Sequence, residues 1–327
     1  MKIQKENIIL TEQDIINTYD ERQQEQCRLY YKYKKIKKQN PAFGYKRIAK
    51  LLGHSYGKTR WWHANKHIPT PIQTVNWLKE KRLIPLTLKN PTLTLISKIL
   101  GATFGDGGID KNHNMIFLSS SELKALEDFK QDLIKIFGEE IRKNFDIRQG
   151  GINNTSYCQR NTNRKVIRFF KALGAPIGNK TRQNLFIPPL IKLNKYLEDQ
   201  FYFAFFGSEA GIPKCRGRQT NTFDVAIGGL PEYHQNRIDF MNKIRFYLIN
   251  KNIKSGKISI NKSKSGLNQN TYIYRLLIST KVENMIKFLK EIELHYCYYK
   301  TDKLKNTIND VLIAQEKRVN GLKDIYL

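Results

Sequence analysis

The chain has 327 residues, of which 40% are hydrophobic and 11% aromatic, so it can bury a sizeable core and is long enough for two or three domains. Lys and Arg number 57 against 29 Asp and Glu, and the net charge of +28 predicts a polyanionic partner. Apolar runs stay well short of the ~20 residues of a membrane span, and the opening segment lacks the apolar block of a signal peptide. Nucleic acid is therefore favoured over a membrane, and we expect a soluble, intracellular protein.

Cysteine and histidine are placed without any recognisable ligand spacing. The four cysteines form no CxxC pair, so neither a disulfide framework nor a zinc knuckle is expected. His63 and His67 lie four residues apart, but no acidic residue accompanies them, and basic helix positions explain them equally well.

The predicted elements begin with a basic, helical region. One long helix is predicted over residues 12–38, with lysines concentrated in its C-terminal half and Asn40 and Pro41 as its end. No Asp or Glu occurs between Gln26 and Lys79, although Lys and Arg recur throughout that stretch. The region therefore has the charge expected of a surface that contacts nucleic acid.

Two short helices follow, over residues 45–52 and 56–66, and predict a helix-turn-helix. Ala49 is small enough for the helices to cross closely, and Gly53 accepts a positive φ in the turn. The second helix carries side chains suited to phosphates and base edges in a major groove, namely Lys58, Arg60, Asn65 and Lys66. The alternative is a small helical bundle that supports the rest of the chain, with Trp61 and Trp62 in its core.

A further short helix is predicted over residues 78–86, and a domain boundary near residue 90. Beyond it the pattern alternates between helices and strands. Helices are predicted over residues 93–105, 121–137, 164–173, 193–208, 232–250, 281–294 and 303–317, and strands over residues 115–118, 222–227, 257–261 and 272–279. An αββα order that occurs twice predicts an α+β fold.

Two apolar segments repeat one another, ILGATFGDGGI at residues 99–109 and YFAFFGSEAGI at residues 202–212. Each has small residues four apart and then an acid, Asp106 or Glu209. The small residues are Gly101 and Gly105 in the first segment and Ala204 and Ser208 in the second. Because positions four apart share one helical face, two such helices can approach closely and bring the acids together, where a divalent cation offsets their repulsion. The alternative is that GDGG is simply a turn.

The repeat continues downstream with a lysine in each copy. RFFKALGAPIGNKT at residues 168–181 parallels KFLKEIELHYCYYKT at residues 287–301, which aligns Lys180 with Lys300.

With both motif pairs present, the chain resembles the two-repeat, monomeric LAGLIDADG homing endonucleases over residues 91–327. The resemblance implies two pseudo-symmetric αββαββα repeats, in residues 91–190 and 191–327, that form a saddle after a small all-α helix-turn-helix domain in residues 1–90. It implies that the motif helices form the interface and that Asp106 and Glu209 bind divalent metal, Mg²⁺, with Gly105 and Ser208 beside them. Lys180 and Lys300 resemble the basic residues around the attacking water.

The chain also departs from the family pattern. Phe104 and Gly207 stand where the motif has an earlier acid, and Ala210 replaces the glycine after the second acid. We expect the first change to affect the helix ends more than metal binding, and the second to distort the second site.

Basic residues between the predicted strands are expected to contact double-stranded DNA in its grooves. They are Arg148 and Arg160 in the first repeat and Arg216, Arg218, Lys262 and Lys264 in the second. Charged loops that are merely solvated are the alternative.

The sequence thus predicts a monomeric, site-specific endonuclease that hydrolyses phosphodiesters in both strands of a long DNA site, using Mg²⁺. One alternative is a catalytically silent relative that regulates transcription, for which an added helix-turn-helix is suited. Another is a maturase that binds intron RNA. The two acids favour the enzyme.

Overall fold

Five helices and one antiparallel two-stranded ladder make up most of the first unit of the computed structural model, which describes residues 8–150, 155–216, 219–263 and 270–326. This unit comprises Met1–Pro91 together with Arg168–Leu173. Its elements are β1 (Ile8–Leu10), α1 (Glu12–Ile16), α2 (Glu21–Gln39), α3 (Tyr45–Leu52), α4 (Tyr56–His63), α5 (Thr70–Glu80) and β2 (Leu86–Thr87). The pairing of β1 with β2 departs from the all-helical domain that the sequence predicts.

The single helix predicted over residues 12–38 is wrong, because the chain forms α1 and α2 instead. Helix α1 ends at Ile16, and α2 begins after Asp20, whose side chain accepts a hydrogen bond from the backbone N–H of Gln23. An aspartate in this position starts a new helix by satisfying an N–H group that has no partner within the helix.

The helix predicted over residues 78–86 is also wrong, since α5 covers Thr70–Glu80. The chain leaves this helix through Arg82, whose φ of 58° lies in the left-handed region, and continues into β2. A residue in that conformation does not continue a right-handed helix.

Helices α3 and α4 are joined by a short turn at Gly53, which has a φ of 61° and whose N–H donates to the carbonyls of Ala49 and Lys50. Glycine adopts this conformation without the strain that a Cβ would add. Trp62 is buried, with its ring 5.5 Å from that of Tyr30, whereas Trp61 is 46% exposed. Only one of the two tryptophans therefore belongs to the core of this unit.

The second unit comprises Thr92–Ile167 and Gly174–Leu327. Its first half contains α6 (Leu93–Phe104), β3 (Gly107–Ile109), β4 (Ile116–Ser120), α7 (Leu123–Phe137), β5 (Phe145–Gly150), β6 (Ser156–Asn161) and α8 (Arg164–Ala172). Its second half contains α9 (Lys195–Glu209), β7 (Ala210–Gly211), β8 (Cys215–Arg216), β9 (Gln219–Thr220), β10 (Phe223–Gly229), α10 (His234–Asn250), β11 (Ser255–Lys262), β12 (Tyr272–Ile278), α11 (Val282–Glu291) and α12 (Tyr298–Tyr326). The end of α8 groups with the first unit.

The two halves share one sheet topology. The strand order is β3-β4-β6-β5 in the first half and β7-β10-β12-β11 in the second, and every pairing is antiparallel. The short hairpin of β8 and β9 lies between β7 and β10 in the chain. Apart from that hairpin and the extra helix α12, the elements of each half follow the order αββαββα. This order confirms the predicted α+β fold with a duplicated body.

Burial alternates along β10, where Phe223, Val225 and Ile227 face inward and the residues between them are partly exposed. Strands β5 and β6 lack such an apolar alternation and were not predicted, so Arg148 and Arg160 lie on strands rather than between them. Helix α7 buries Leu126, Phe129 and Leu133, and α10 likewise buries an apolar face. Within the described residues, no helix combines the length and apolar character that crossing a membrane requires.

Candidate active site

The two repeated motifs form α6 and α9, and they approach so closely that α6 has no room for a side chain at Gly101 or at Gly105. A Cβ added at Gly101 would lie 2.1 Å from the carbonyl oxygen of Phe201, and one added at Gly105 would lie 2.2 Å from the Cβ of Ser208. Ser97 Oγ also donates a hydrogen bond of 2.5 Å to the carbonyl of Leu197 in the other helix. The small residues are therefore what lets α6 and α9 lie side by side.

All four predicted interface positions lie within this packing. Gly105 faces Ser208, as the aligned motifs suggest, and Ala204 has no exposed surface. Gly101 instead faces the backbone of Phe201, one helical turn before Ala204.

The departures from the family motif have local explanations. A Cβ at Gly207 would lie 2.0 Å from the carbonyl oxygen of His295, so no acid fits there. Phe104 is buried, with its ring 5.3 Å from that of Phe201. Ala210 has a φ of −71° and a ψ of 121°, an extended conformation that alanine adopts without strain. Nothing in the backbone at Ala210 thus supports the distortion expected at the second site.

The positions of both acids are set by the C-terminal ends of these two helices. Glu209 is the last residue of α9, and Asp106 follows Gly105, which caps α6. Burial raises the pKa of Glu209 to about 7, and the negative charge of Asp106 adds to the rise. Asp106 is exposed as a residue, yet the protein packed around its carboxyl raises its pKa as well. Two carboxyls whose ionisation is opposed by their surroundings form a site that favours a cation.

Lys180 and Lys300 occupy equivalent places at the ends of the two helices. Lys180 Nζ donates to the carbonyl of Gly105 and, at 2.8 Å, to that of Gly107. Lys300 Nζ donates to the carbonyl of Gly207 at 2.8 Å and to that of Ser208. Each ammonium thus binds the carbonyl that immediately precedes an acid, where the negative end of the helix dipole also favours a cation.

The strongest charge interactions cross between the halves. Burial lowers the pKa of Lys180, and among its neighbours Glu209 opposes that change more than Asp106 does. For Asp106, the attraction that offsets burial comes first from Lys300 and then from Lys180. Each acid is therefore paired most strongly with the lysine of the other half.

The oxygen atoms at this site suit a hard divalent ion. The donors are the carboxylates of Asp106 and Glu209, with the carbonyls of Gly105 and Ser208 next to them. Each of these carbonyls already accepts a hydrogen bond from a lysine ammonium, but a carbonyl oxygen has a second lone pair. Among the described residues no group of three or more His, Cys, Asp or Glu side chains is placed to hold a metal ion. Two carboxylates with water and phosphate oxygens are a usual set for Mg²⁺.

No family model matches the chain. The chain is 30% identical over 239 residues to the tRNA-splicing ligase RtcB of Methanocaldococcus jannaschii, covering 68% of this chain and 24% of that protein. It is also 30% identical over 174 residues to the DNA-directed RNA polymerase subunit Rpo1N of the same organism, covering 47% of this chain and 12% of that protein. The chain thus spans about a quarter or less of the length of these curated relatives.

Solved structures of the homing endonuclease I-DmoI are similar to part of the chain at low identity. One set of mesophilic variants gives a TM-score of 0.40 at 13% identity and covers 66% of this chain and 100% of that chain. The structure of I-DmoI in complex with DNA and Mn gives 0.38 at 14% identity, with coverage of 62% and 97%.

The predicted DNA-contacting residues are in varied surroundings. Those of the first unit are all exposed, namely Lys58, Arg60, Asn65 and Lys66. In the second unit Arg148 and Lys262 are exposed on β5 and β11. Arg160 is largely buried, and its Nε donates to Asp146 at 2.9 Å, which lowers the pKa of that carboxyl. Arg160 therefore holds the sheet together rather than standing free for DNA.

Two predicted contacts, Arg218 and Lys264, lie outside the described residues, and Arg216 lies on the short strand β8.

Sequence reasoning missed Arg237, which is fully buried and donates to the carbonyl of Lys180. No pattern in the sequence links these two residues, which are separated by 57 positions.

Proposed function

We propose that the chain is a site-specific endonuclease of the LAGLIDADG type, which hydrolyses phosphodiesters in double-stranded DNA with a divalent metal held by Asp106 and Glu209. The observation that carries the proposal is the pair of acids at the ends of two helices in backbone contact, each beside a lysine. Such an arrangement is costly for stability, because burial opposes the ionised form of both acids. Costly clusters of ionisable groups are typical of active sites.

The residues of the site have distinct roles in this proposal. Asp106 and Glu209 supply carboxylate oxygens to the ion, for which Mg²⁺ is proposed. When bound, the ion supplies positive charge against the negative charge that develops on the phosphate oxygens. Lys180 and Lys300 fix the carbonyls at the helix ends and add positive charge beside the reacting phosphate. The acids therefore need to be ionised, and the lysines protonated, for the site to work.

The charge of the whole chain supports a DNA partner. A net charge of +28 attracts a phosphate backbone from a distance and makes binding depend on salt. Exposed basic side chains on the sheets, such as Arg148 and Lys262, and on α4, such as Lys58 and Arg60, are available for phosphate and base contacts. The helix-turn-helix is proposed to extend the contact of the two sheets.

The different functions in the names of the two relatives suit a matched region with an activity independent of theirs. RtcB and Rpo1N have unrelated names, and the matched segment makes up only 24% and 12% of them. Similarity to small parts of both a ligase and a polymerase subunit is more simply explained by an activity of this chain's own than by either of theirs. We therefore propose DNA cleavage rather than RNA ligation or transcription.

The test uses the DNA that flanks the chain's own gene, incubated with the protein with and without Mg²⁺. The wild type should cut both strands only with the metal, and Asp106→Asn and Glu209→Gln should each abolish cutting while DNA binding persists. Asp239→Asn, an exposed aspartate on α10, is the matched control and should cut normally. Binding without cleavage under every divalent metal would instead point to a transcriptional regulator, and preference for folded intron RNA would point to a maturase.

A further inference from the structure

Arg237, in the first turn of α10, has no exposed surface. Burying a guanidinium is costly unless its donors are satisfied. Nε donates to the backbone carbonyl of Gly228 at 3.0 Å, and Nη2 donates to those of Gln183 at 2.8 Å and Lys180 at 2.5 Å, while Nη1 donates to the side-chain oxygen of Asn236 at 2.9 Å. The planar fork of arginine suits several fixed acceptors at once. Arg237 thus ties a strand of the second half to the segment that carries Lys180.

The fold makes room for this contact. A Cβ at Gly229 would lie 2.7 Å from Arg237 Nε and 2.8 Å from its Cγ, so the strand has no side chain where the arginine passes. The neighbouring Asn236 holds the same segment at Leu185. Its side-chain oxygen accepts a hydrogen bond from the backbone N–H of Leu185 at 2.7 Å, and its side-chain nitrogen donates to the carbonyl of Leu185 at 3.1 Å. Two consecutive residues of α10 therefore anchor residues 180–185 of the chain.

The segment that carries Lys300 is held in a related way from the first half. Glu122, which precedes α7, accepts hydrogen bonds from the backbone N–H groups of Tyr298, at 2.9 Å, and Tyr299, at 3.1 Å. Helices α7 and α10 are equivalent in the two αββαββα repeats. Each lysine-bearing segment is therefore anchored by residues at the start of the equivalent helix in the other half.

We propose that Arg237 and Glu122 are positioning residues, which hold Lys180 and Lys300 respectively at the acids. The proposal rests on the proposed function, in that it assigns these residues to the same site. It follows that each of the two reacting centres depends on both halves of the fold. Loss of one anchor displaces one lysine and leaves the other in place.

The first test measures nicking and full cleavage of a supercoiled plasmid that contains the target. Arg237→Lys retains the charge but cannot reach three carbonyls, so it should slow the cutting of one strand by about tenfold to a hundredfold and accumulate nicked plasmid. Glu122→Ala should slow the other strand. Asn236→Ala removes the acceptor of Arg237 Nη1 and the two bonds to Leu185 but leaves the three bonds of the arginine to backbone carbonyls, so it should reproduce the strand preference of Arg237→Lys to a smaller degree.

The matched control is Lys251→Met, which removes another buried cation, at the residue that caps the C-terminus of α10. Lys251 is paired with Asp199 at 2.7 Å and touches neither lysine segment. This variant should lose stability without any strand preference. Equal slowing of both strands by Arg237→Lys, as a general loss of folding produces, would overturn the proposal.

A second measurement does not depend on cleavage. Amide hydrogen exchange of residues 180–185 should be faster in Arg237→Lys than in the wild type and unchanged in Lys251→Met. If the wild type cuts no DNA, the proposed function fails, while faster exchange still supports the anchoring. Unchanged exchange in Arg237→Lys refutes the anchoring whatever the nuclease assay shows.

Discussion

Replacing Glu209 by glutamine should make the metal-free protein more stable at neutral and alkaline pH. Burial and the charge of Asp106 raise the pKa of Glu209 from an ordinary 4.5 to about 7. Because the folded protein holds this proton more tightly than the unfolded chain does, ionisation of Glu209 destabilises the fold. Wild-type stability should therefore fall as the pH rises from 4.5 to about 7 and then level off. Glutamine resembles the protonated acid and is free of this loss.

The difference between these two pKa values corresponds to about 3 kcal/mol, at about 1.4 kcal/mol for each pH unit. Part of the loss is already present at about pH 5, so the advantage of Glu209→Gln over the wild type should grow by about 2 to 3 kcal/mol between about pH 5 and about pH 8.

Urea unfolding in the presence of a chelator measures this difference, and Glu283→Gln, an exposed glutamate in the first turn of α11, is the control. Added Mg²⁺ should stabilise the wild type at the higher pH and leave Glu209→Gln unchanged. If Glu209→Gln gains nothing over the wild type as the pH rises, the carboxyl is not strained by its surroundings and the reasoning is refuted.

Further predictions concern the helix contact and the first unit. Gly101→Ala should lower the free energy of unfolding by about 1 to 3 kcal/mol in urea, because its methyl would lie 2.1 Å from a backbone carbonyl oxygen, whereas Gly150→Ala meets no described atom within 4 Å and should be neutral. Trp62→Ala should destabilise the first unit by about 3 to 5 kcal/mol, whereas Trp61→Ala should weaken DNA binding in fluorescence anisotropy and barely change thermal unfolding. Lys58→Ala should weaken binding to all sequences alike and reduce the salt slope by about one, so a loss confined to one sequence would contradict a phosphate contact.

The motif helices could be predicted from sequence because their signals are local. Helix α6 was predicted over residues 93–105 and covers Leu93–Phe104, and α9 was predicted over residues 193–208 and covers Lys195–Glu209. A continuous apolar run that ends in glycine or an acid defines such a helix without reference to the rest of the fold. Placing Asp106 and Glu209 together required only that the two runs be copies of each other.

The rest of the sheets and the support of the site depend on contacts far apart in the chain. Strands β5 and β6 have polar sequences, and their pairing is held in part by the ion pair between Asp146 and Arg160. Strand propensity is low in such segments, so the pairing becomes evident only in three dimensions. In the same way, the role of Arg237 depends on the absence of a side chain at Gly229 and on the path of the Lys180 segment.

Gly105 of α6 faces Ser208 of α9, so the contact surfaces of the two halves are complementary to each other and not interchangeable. A symmetric pair built from the first half would set glycine against glycine and leave a gap, while one built from the second half would set serine against serine at a separation with room for one Cβ only. Neither copy can therefore replace the other without a compensating change. Each copy of the motif therefore depends on the residue that the other copy places at this contact, and a substitution in one copy requires a matching substitution in the other.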